Sequence, residues 1–328
     1  MSQSGGAGWS GVEVRSYHGQ PVLKEPVWTW EIPCYFFTGG LGGASAGLAY
    51  LSGLRGNREL SRRAWAAALA GVGMSPMLLI SDLGKPARFL NMLRMFKVTS
   101  PMSVGSWILS ASGAATSIAT LNAWTGLFPR AARIARPAAA AFGLPLSTYT
   151  AALVANTAVP VWHEARGPLS AAFAAGAASS AGAVATAVTP PRSGGPARRI
   201  AVGGAVAELV AVQLMEHRLN GLGEPYHEGQ PGMFARASKA LTAAGAGLIA
   251  TRAARSRAAA VAGGALLAAG AFAERWAVYK AGFESASDPK FTVAPQRQRI
   301  DAGEARGAAR HEAQQNRRGA KAATSLSE

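Results

Sequence analysis

Residues 32–54, IPCYFFTGGLGGASAGLAYLSGL, run from Glu31 to Arg55 without one charged side chain. A helix crosses the hydrocarbon core of a bilayer in roughly 20 residues, so this stretch is long enough to span. Its apolar content is Ala and Gly as much as Leu and Phe, which keeps average hydropathy modest; charge spacing shows the span more clearly. The same kind of gap lies between Arg63 and Asp82, Lys97 and Arg130, Arg136 and His163, and Arg166 and Arg192. Five spans follow. Later gaps are weaker: Arg199 to Glu216 is interrupted by Glu208, Lys239 to Arg252 is short, and Arg257 to Glu274 is marginal. They reach full length if Arg236, Lys239, Arg252 and Arg257 snorkel toward the headgroups. The expectation is an all-α integral membrane protein of about eight transmembrane helices in two four-helix bundles. A water-soluble Ala-rich bundle would place a charge every three or four residues on an outward face, and that face is missing over most of the length.

The helices are predicted at about 32–54, 64–81, 102–127, 138–162, 168–189, 199–217, 236–252 and 257–277. The chain of 328 residues divides into a polar N-terminal arm (1–30), a transmembrane domain (31–280) and a polar tail (281–328) expected to be disordered or bound to a partner. The arm lacks a basic start leading into a short apolar core, so the first apolar helix is expected to direct insertion itself. A formal charge of +16 would suggest nucleic acid in a soluble protein. Here Lys and Arg cluster between apolar runs, as in membrane proteins, and nucleic acid is not an expected partner. Arg-rich turns follow helices one, three, five and seven, which places them in the cytoplasm and both termini outside the cell membrane. Small residues in TGGLGGASAG (38–47), LAGVG (69–73) and ASGAATS (111–117) are scaffold, since small faces let helices approach closely in lipid.

Some chemistry is excluded. Haem held in a helical bundle needs histidines inside the spans, whereas His18, His163, His217, His227 and His311 all fall in loops, tails or helix ends. The single Cys34 excludes an internal disulfide and a Cys-ligated iron-sulfur cluster carried by this chain alone. No phosphate-binding loop, zinc spacing or Ser-His-Asp arrangement is visible.

Acids and aromatics gather at one membrane face: Trp28, Trp30 and Glu31 lead into the first helix, Asp82 ends the second, Trp162, His163 and Glu164 end the fourth, and Glu216 with His217 ends the sixth. Interfacial aromatics alone are ordinary belt residues; their combination with ionisable groups points to a site. Within the spans the polar exceptions are Asn122, Tyr149, Asn156 and Glu208. A carboxylate at mid-span costs about 2.5 kcal/mol or more, so Glu208 must face a polar cavity or a partner. Two readings stand, a proton relay or a hydrogen-bonded contact between helices. Tyr149 suits a quinone carbonyl and suits an interhelical hydrogen bond equally.

The segment DLGKPARFLNMLRMFKVTSPMSVGSW (82–107) is unusually charged for a turn between spans. Gly84 and Pro86 break the second helix, and Phe89, Leu90, Leu93 and Phe96 fall at helical spacing on a short amphipathic helix. Ser100 is the N-cap and Pro101 the first residue of the next span. An interfacial helix explains the bases and leaves Asp82 and Lys85 without a role.

This segment resembles the signature between helices two and three of the NrfD/PsrC family, the integral membrane subunits of polysulfide-reductase-like molybdopterin oxidoreductase complexes. WTWEIPCYFFTGGLGGASAG (28–47) resembles the family's first helix and STYTAALVANTAVPVW (147–162) its fourth. The resemblance covers roughly residues 25–165. It implies a haem-free subunit that exchanges electrons between membrane menaquinone and a four-cluster iron-sulfur subunit, itself attached to a molybdopterin catalytic subunit. It implies Tyr149 as the tyrosine that hydrogen-bonds a quinone oxygen. Where the family has Asn or His at the start of helix one, this sequence has Trp30 and Glu31. Asp82 becomes the candidate proton donor or acceptor, with Lys85 and Arg88 as its partners or as docking residues, Glu31 beside it, and His163 on the same face. The loop GLGEPYHEGQPGMF (221–234) is either part of a docking face or a plain connector. The rival functions are a membrane transporter and a non-catalytic membrane anchor; a transporter should show halves related by a repeat with broken helices, and none is evident.

Overall fold

The structure, a computed structural model, describes residues 22–85, 87–297, 300, 301 and 303. Their regular structure is entirely helical: α1 (Glu31–Leu54), α2 (Arg58–Asp82), α3 (Ala87–Arg94), α4 (Pro101–Thr125), α5 (Pro129–Ala155), α6 (Pro160–Glu164), α7 (Arg166–Val188), α8 (Gly195–Leu219), a 3-10 segment (Asn220–Tyr226), α9 (Gly229–Thr251) and α10 (Arg257–Ser287). Helices α1, α2, α4 and α5 pack into one bundle and α7, α8, α9 and α10 into a second. The two join where α1 meets α7 and α10 and where α5 meets α7.

Among the described residues, six helical segments are both long and apolar enough to cross a membrane: α2, α4, α5, α7, α8 with the 3-10 segment, and α10. On that measure the expected eight spans stand at six. Helices α1 and α9 have 24 and 23 residues and pack beside the others, but their composition is more polar or more Gly-rich. The chain is a multi-pass membrane protein. One face of the bundles carries the arm and the ends of α2, α5, α8 and α10 (the arm face). The other carries the Arg-rich turns.

Backbone contact explains the glycine content. A Cβ on Gly42 would lie 2.8 Å from Val72 N, and one on Gly71 would lie 2.7 Å from Gly42 Cα. Helices α1 and α2 therefore meet backbone to backbone, where dispersion replaces the hydrophobic effect as the force between helices in lipid.

Helix ends follow local chemistry more than charge. Ser100 Oγ accepts from Ser103 N, Pro101 opens α4, and Gly126 ends it at φ 77, the left-handed region that favours glycine. The short amphipathic helix is present as α3, with none of its residues buried; it ends at Arg94, before Phe96. Elsewhere the predicted bounds shift. Helix α2 begins at Arg58 instead of 64 because Asn57 caps it by accepting from Leu60 N, and the charges of RELSRR lie inside its first turns. The predicted 138–162 helix begins at Pro129 and stops at Ala155, and Pro160 starts the separate α6. The last span, expected to stop at 277, runs to Ser287, and residues 290–297 are helical again with Phe291 buried. That part of the 281–328 tail is folded. Positions 1–21 and nearly all of 298–328 lie outside the described residues, as do His18 and His311.

Candidate functional site

Where the first bundle reaches the arm face, a narrow cavity of about 40 Å³ opens between α1, α2, α3, α4 and α5. Trp28, Ile32, Leu79, Met102 and Leu153 give it apolar walls, and Tyr35, Tyr149, Asp82 and Ser106 give it polar points. Tyr149 is half-buried, and its ring meets Tyr35 edge to face at 6.3 Å between centroids. Gly105 of α4 makes room for it, because a Cβ there would run into the Tyr149 ring. The Tyr35 hydroxyl is fully buried with no protein partner. A buried hydroxyl left unpaired costs about 1–3 kcal/mol. A flat apolar ligand with oxygen acceptors at its rim would answer that cost.

The polar rim is tied to the arm. Asp82 Oδ1 accepts from Thr29 Oγ1 at 2.8 Å and from Thr29 N at 3.3 Å. The same hydroxyl contacts Glu31 Oε2, and Ser81 Oγ donates to Glu31 Oε1 at 3.4 Å. One hydroxyl proton thus faces two carboxylates 51 positions apart in sequence and adjacent in space. Trp28 is held from behind: its carbonyl accepts from Tyr279 Oη at 2.7 Å, and its ring stacks on Trp162 at 5.4 Å. Trp162 is wholly buried and donates from Nε1 to Val278 O at 2.7 Å. The arm that reads as merely polar in the sequence therefore supplies a wall of the cavity.

The structure brings Tyr149 and Asp82 together, with Glu31 at the rim, and leaves the other expected contacts outside. Trp30 is 59% exposed and does not line the cavity: it precedes the first turn of α1, whose inward positions are Ile32 and Tyr35. Lys85 and Arg88 are exposed and make no ion pair with Asp82, which takes its hydrogen bonds from Thr29; Arg88 Nη1 donates to Leu83 O at 3.4 Å. His163 lies on α6, turned away by the break after Ala155. Its ring lines a different pocket with Pro160, Glu164 and Phe291, donates to Ala155 O at 3.3 Å, and accepts from Arg166 at 3.4 Å. The sequence reading missed Tyr35 and Trp28 as walls. Their signal was position: Trp28, Ile32 and Tyr35 recur at helical spacing on the α1 approach.

Glu208 lies elsewhere, 2% exposed inside the second bundle. It is not alone. Glu274 and Arg275 of α10 are 4% and 2% exposed, and they escaped notice because they mark the end of the last charge-free gap. Arg275 Nη1 donates to Glu274 Oε2, Nη2 donates to Phe173 O at 3.0 Å, and the guanidinium sits 3.8 Å over the Phe173 ring. Among the described residues, no group of three or more His, Cys, Asp or Glu could hold a metal ion.

Comparison with known proteins adds one positive finding. The family described as Polysulphide reductase, NrfD matches residues 17–199, more than half of the chain and inclusive of the whole Tyr149 cavity. No curated protein matches the chain. NrfD proteins are membrane subunits of oxidoreductase complexes.

Proposed function

The chain belongs to the NrfD family, and on that premise we propose that it is the quinone-reactive membrane subunit of a molybdopterin oxidoreductase complex, passing electrons between a four-cluster iron-sulfur subunit and menaquinone. The observation that carries this reading is the arm-face cavity, where two tyrosine hydroxyls and a carboxylate meet inside apolar walls. That donor set fits a quinone: a flat apolar ring with carbonyl oxygens that accept hydrogen bonds. Bound there, a quinone supplies two-electron chemistry that takes up or releases two protons. Trp28, Ile32, Met102 and Leu153 hold the ring and exclude water. Tyr149 donates its hydroxyl to a ligand oxygen, and Tyr35 offers a second donor that has no protein acceptor. Asp82, at the rim and hydrogen-bonded to Thr29, exchanges protons with water at the arm face. Electrons come from or go to the partner's cluster at the same face. The catalytic subunit sets the substrate; formate oxidation with menaquinone reduction is the direction we propose, with a polysulfide-reductase-like reaction as the reverse case. The cell membrane is the proposed location, with the arm face outside.

The test is turnover of the purified complex. Tyr149→Phe and Asp82→Asn should each lower quinone-coupled turnover, about tenfold for the loss of one hydrogen bond worth about 1.4 kcal/mol in the reacting complex. Artificial-acceptor activity of the catalytic subunit should be preserved. Wild-type turnover in both variants would remove the site, and a complex without an iron-sulfur subunit would favour an anchor or a transporter.

A further inference from the structure

A second polar site lies inside the other bundle, and its ionisable residues on α8 and α10 lie beyond the family match. Glu208 falls 13 residues into α8 and 11 before its end, close to mid-depth at about 1.5 Å per residue. The inward stripe of α8 continues through Val212, Met215 and Glu216 to Leu219, so Glu208 and Glu216 share one buried face two turns apart. Glu216 is 7% exposed and pairs with Lys239 of α9 at 2.7 Å, near the arm face. Between the two carboxylates lies a small cavity of about 10 Å³ lined by Glu208, Glu216, Tyr226, Lys239, Thr242 and Glu274. Six oxygens in this region have no protein partner: both of Glu208, Glu216 Oε1, Glu274 Oε1, Tyr226 Oη and Thr242 Oγ1.

This chemistry is not a structural ion pair alone. Arg275 neutralises one carboxylate, yet Glu208 and Glu274 both lie within electrostatic reach of it and of each other. With both ionised, the triad carries one net negative charge in hydrocarbon, which is strongly unfavourable. One bound proton makes it neutral. The facing elements bring no other base to replace that proton: α7 contributes Gly176 and the Phe173 carbonyl, α9 contributes Lys239, already paired with Glu216, and the 3-10 segment contributes Tyr226. The unpartnered oxygens of Tyr226, Thr242 and Glu216 belong to residues that line this one cavity, whose size is that of about one water.

We propose that Glu208, Glu274 and Arg275 form a membrane-embedded proton-binding site that holds one exchangeable proton between the two carboxylates and communicates with the arm face through Tyr226, Glu216 and Lys239. The site lies apart from the Tyr149 cavity and does not depend on what occupies it. Proton uptake is a transfer from water at the arm face to a Glu208 or Glu274 oxygen, with release by the same route.

The test is infrared difference spectroscopy of the intact complex, reading the carbonyl stretch of a protonated carboxylic acid during a pH jump and after transfer to D2O. The wild type should show a buried acid whose band moves on deuteration. Glu208→Gln and Glu274→Gln, close isosteres of the protonated acid, should each abolish or shift it while the melting temperature stays near wild type. Glu216→Gln and Tyr226→Phe should keep the band and slow deuterium uptake by about tenfold or more, the low side of what losing a positioned proton-transfer group costs. Absence of the band, or a band unchanged in both Gln variants, overturns the site. Unchanged uptake in both access variants overturns the route, and a band that responds to sodium at fixed pH would make this a metal-cation site instead. None of these readouts needs quinone turnover, so failure here and failure of the Tyr149 site are distinguishable.

Discussion

Gly105→Ala tests the Tyr149 cavity without touching any polar group. The new Cβ would lie 2.8 Å from Tyr149 Cζ and 2.9 Å from Cδ2, and closer still to Cε2. Ordinary carbon contacts begin near about 3.5 Å, so the ring must retreat by roughly 0.7 Å at Cζ and more at Cε2. The hydroxyl rides on Cζ. A hydrogen bond of about 2.8 Å stretched by that amount leaves the useful range, a loss of about 0.5–1.5 kcal/mol, or about two- to tenfold in affinity. Stability should fall by a similar amount at most, about 0–2 kcal/mol, because replacing a helical Gly by Ala gains up to about 1 kcal/mol while overpacking costs about 1–3 kcal/mol. Gly113→Ala, in the same helix with nothing within 4 Å of the new methyl, is the control and should be neutral or stabilising. The assay is quinone-coupled turnover against quinone concentration, together with quinone content of the purified complex and its melting temperature. A Gly105→Ala complex with wild-type KM and quinone content would refute the placement of Tyr149 in the site.

Gly71→Ala should do structural damage, since its Cβ would lie 2.7 Å from Gly42 Cα and N, and backbone cannot swing aside; a loss of about 1–3 kcal/mol should appear as a lower melting temperature in detergent, while Gly47→Ala, in open space, should not. Tyr279→Phe removes the 2.7 Å bond to the Trp28 carbonyl, worth about 1 kcal/mol, and should speed amide exchange in residues 22–30 without speeding it in α10. Lys290 is held above the ordinary lysine value chiefly by its hydrogen bond to Glu224, with burial acting the other way. A raised folded value means this contact is fully present below the ordinary lysine value and is lost only as pH climbs through the raised one. Lys290→Met should therefore speed exchange in residues 290–297 equally in mildly acid and mildly alkaline buffer, and differ from wild type less only in strong alkali.

The spans were legible because charge is so costly in hydrocarbon that its absence marks them. The same rule misplaced their ends wherever a charge is tolerated inside a helix. Arg58 to Arg63 sit in the first turns of α2, where they reach water, and the Glu274–Arg275 pair sits inside α10, where each neutralises the other. A reading that ends the charge-free gap at Glu274 stops α10 ten residues before Ser287 and passes over Glu274 and Arg275 as neighbours of Glu208. Tyr149 and Asp82 were legible from the loop and helix signatures they belong to. His163 was placed on the right face but not in the cavity: the helix break after Ala155 rotates it away, and that break is set by Pro160, whose effect on direction is not written in residue spacing. Tyr35 was hidden because a tyrosine among apolar neighbours reads as packing until its hydroxyl is found without a partner.

The two polar sites obey different rules because they lie at different depths. Asp82 and Glu31 stand at the interface, where the Thr29 and Ser81 hydroxyls donate to them, so changing one should alter chemistry more than folding. Glu208 and Glu274 stand where no water can screen them unless the cavity admits it, and Arg275 is the single cation between them. Removing the Arg275 charge would leave two buried acids that must both be protonated or hydrated, and breaking a buried pair by deleting one partner costs about 3–5 kcal/mol. The guanidinium also stacks on Phe173, Phe173 meets Phe36 at 5.8 Å, and Phe36 neighbours Tyr35 in the wall of the Tyr149 cavity. A displacement of Arg275 therefore has a packed aromatic route to the first site, whereas neutralising Glu208 with Arg275 in place has none. Loss of charge at Glu208 and loss of packing at Arg275 should separate: the first confined to proton exchange in the second bundle, the second felt at Tyr149 as well.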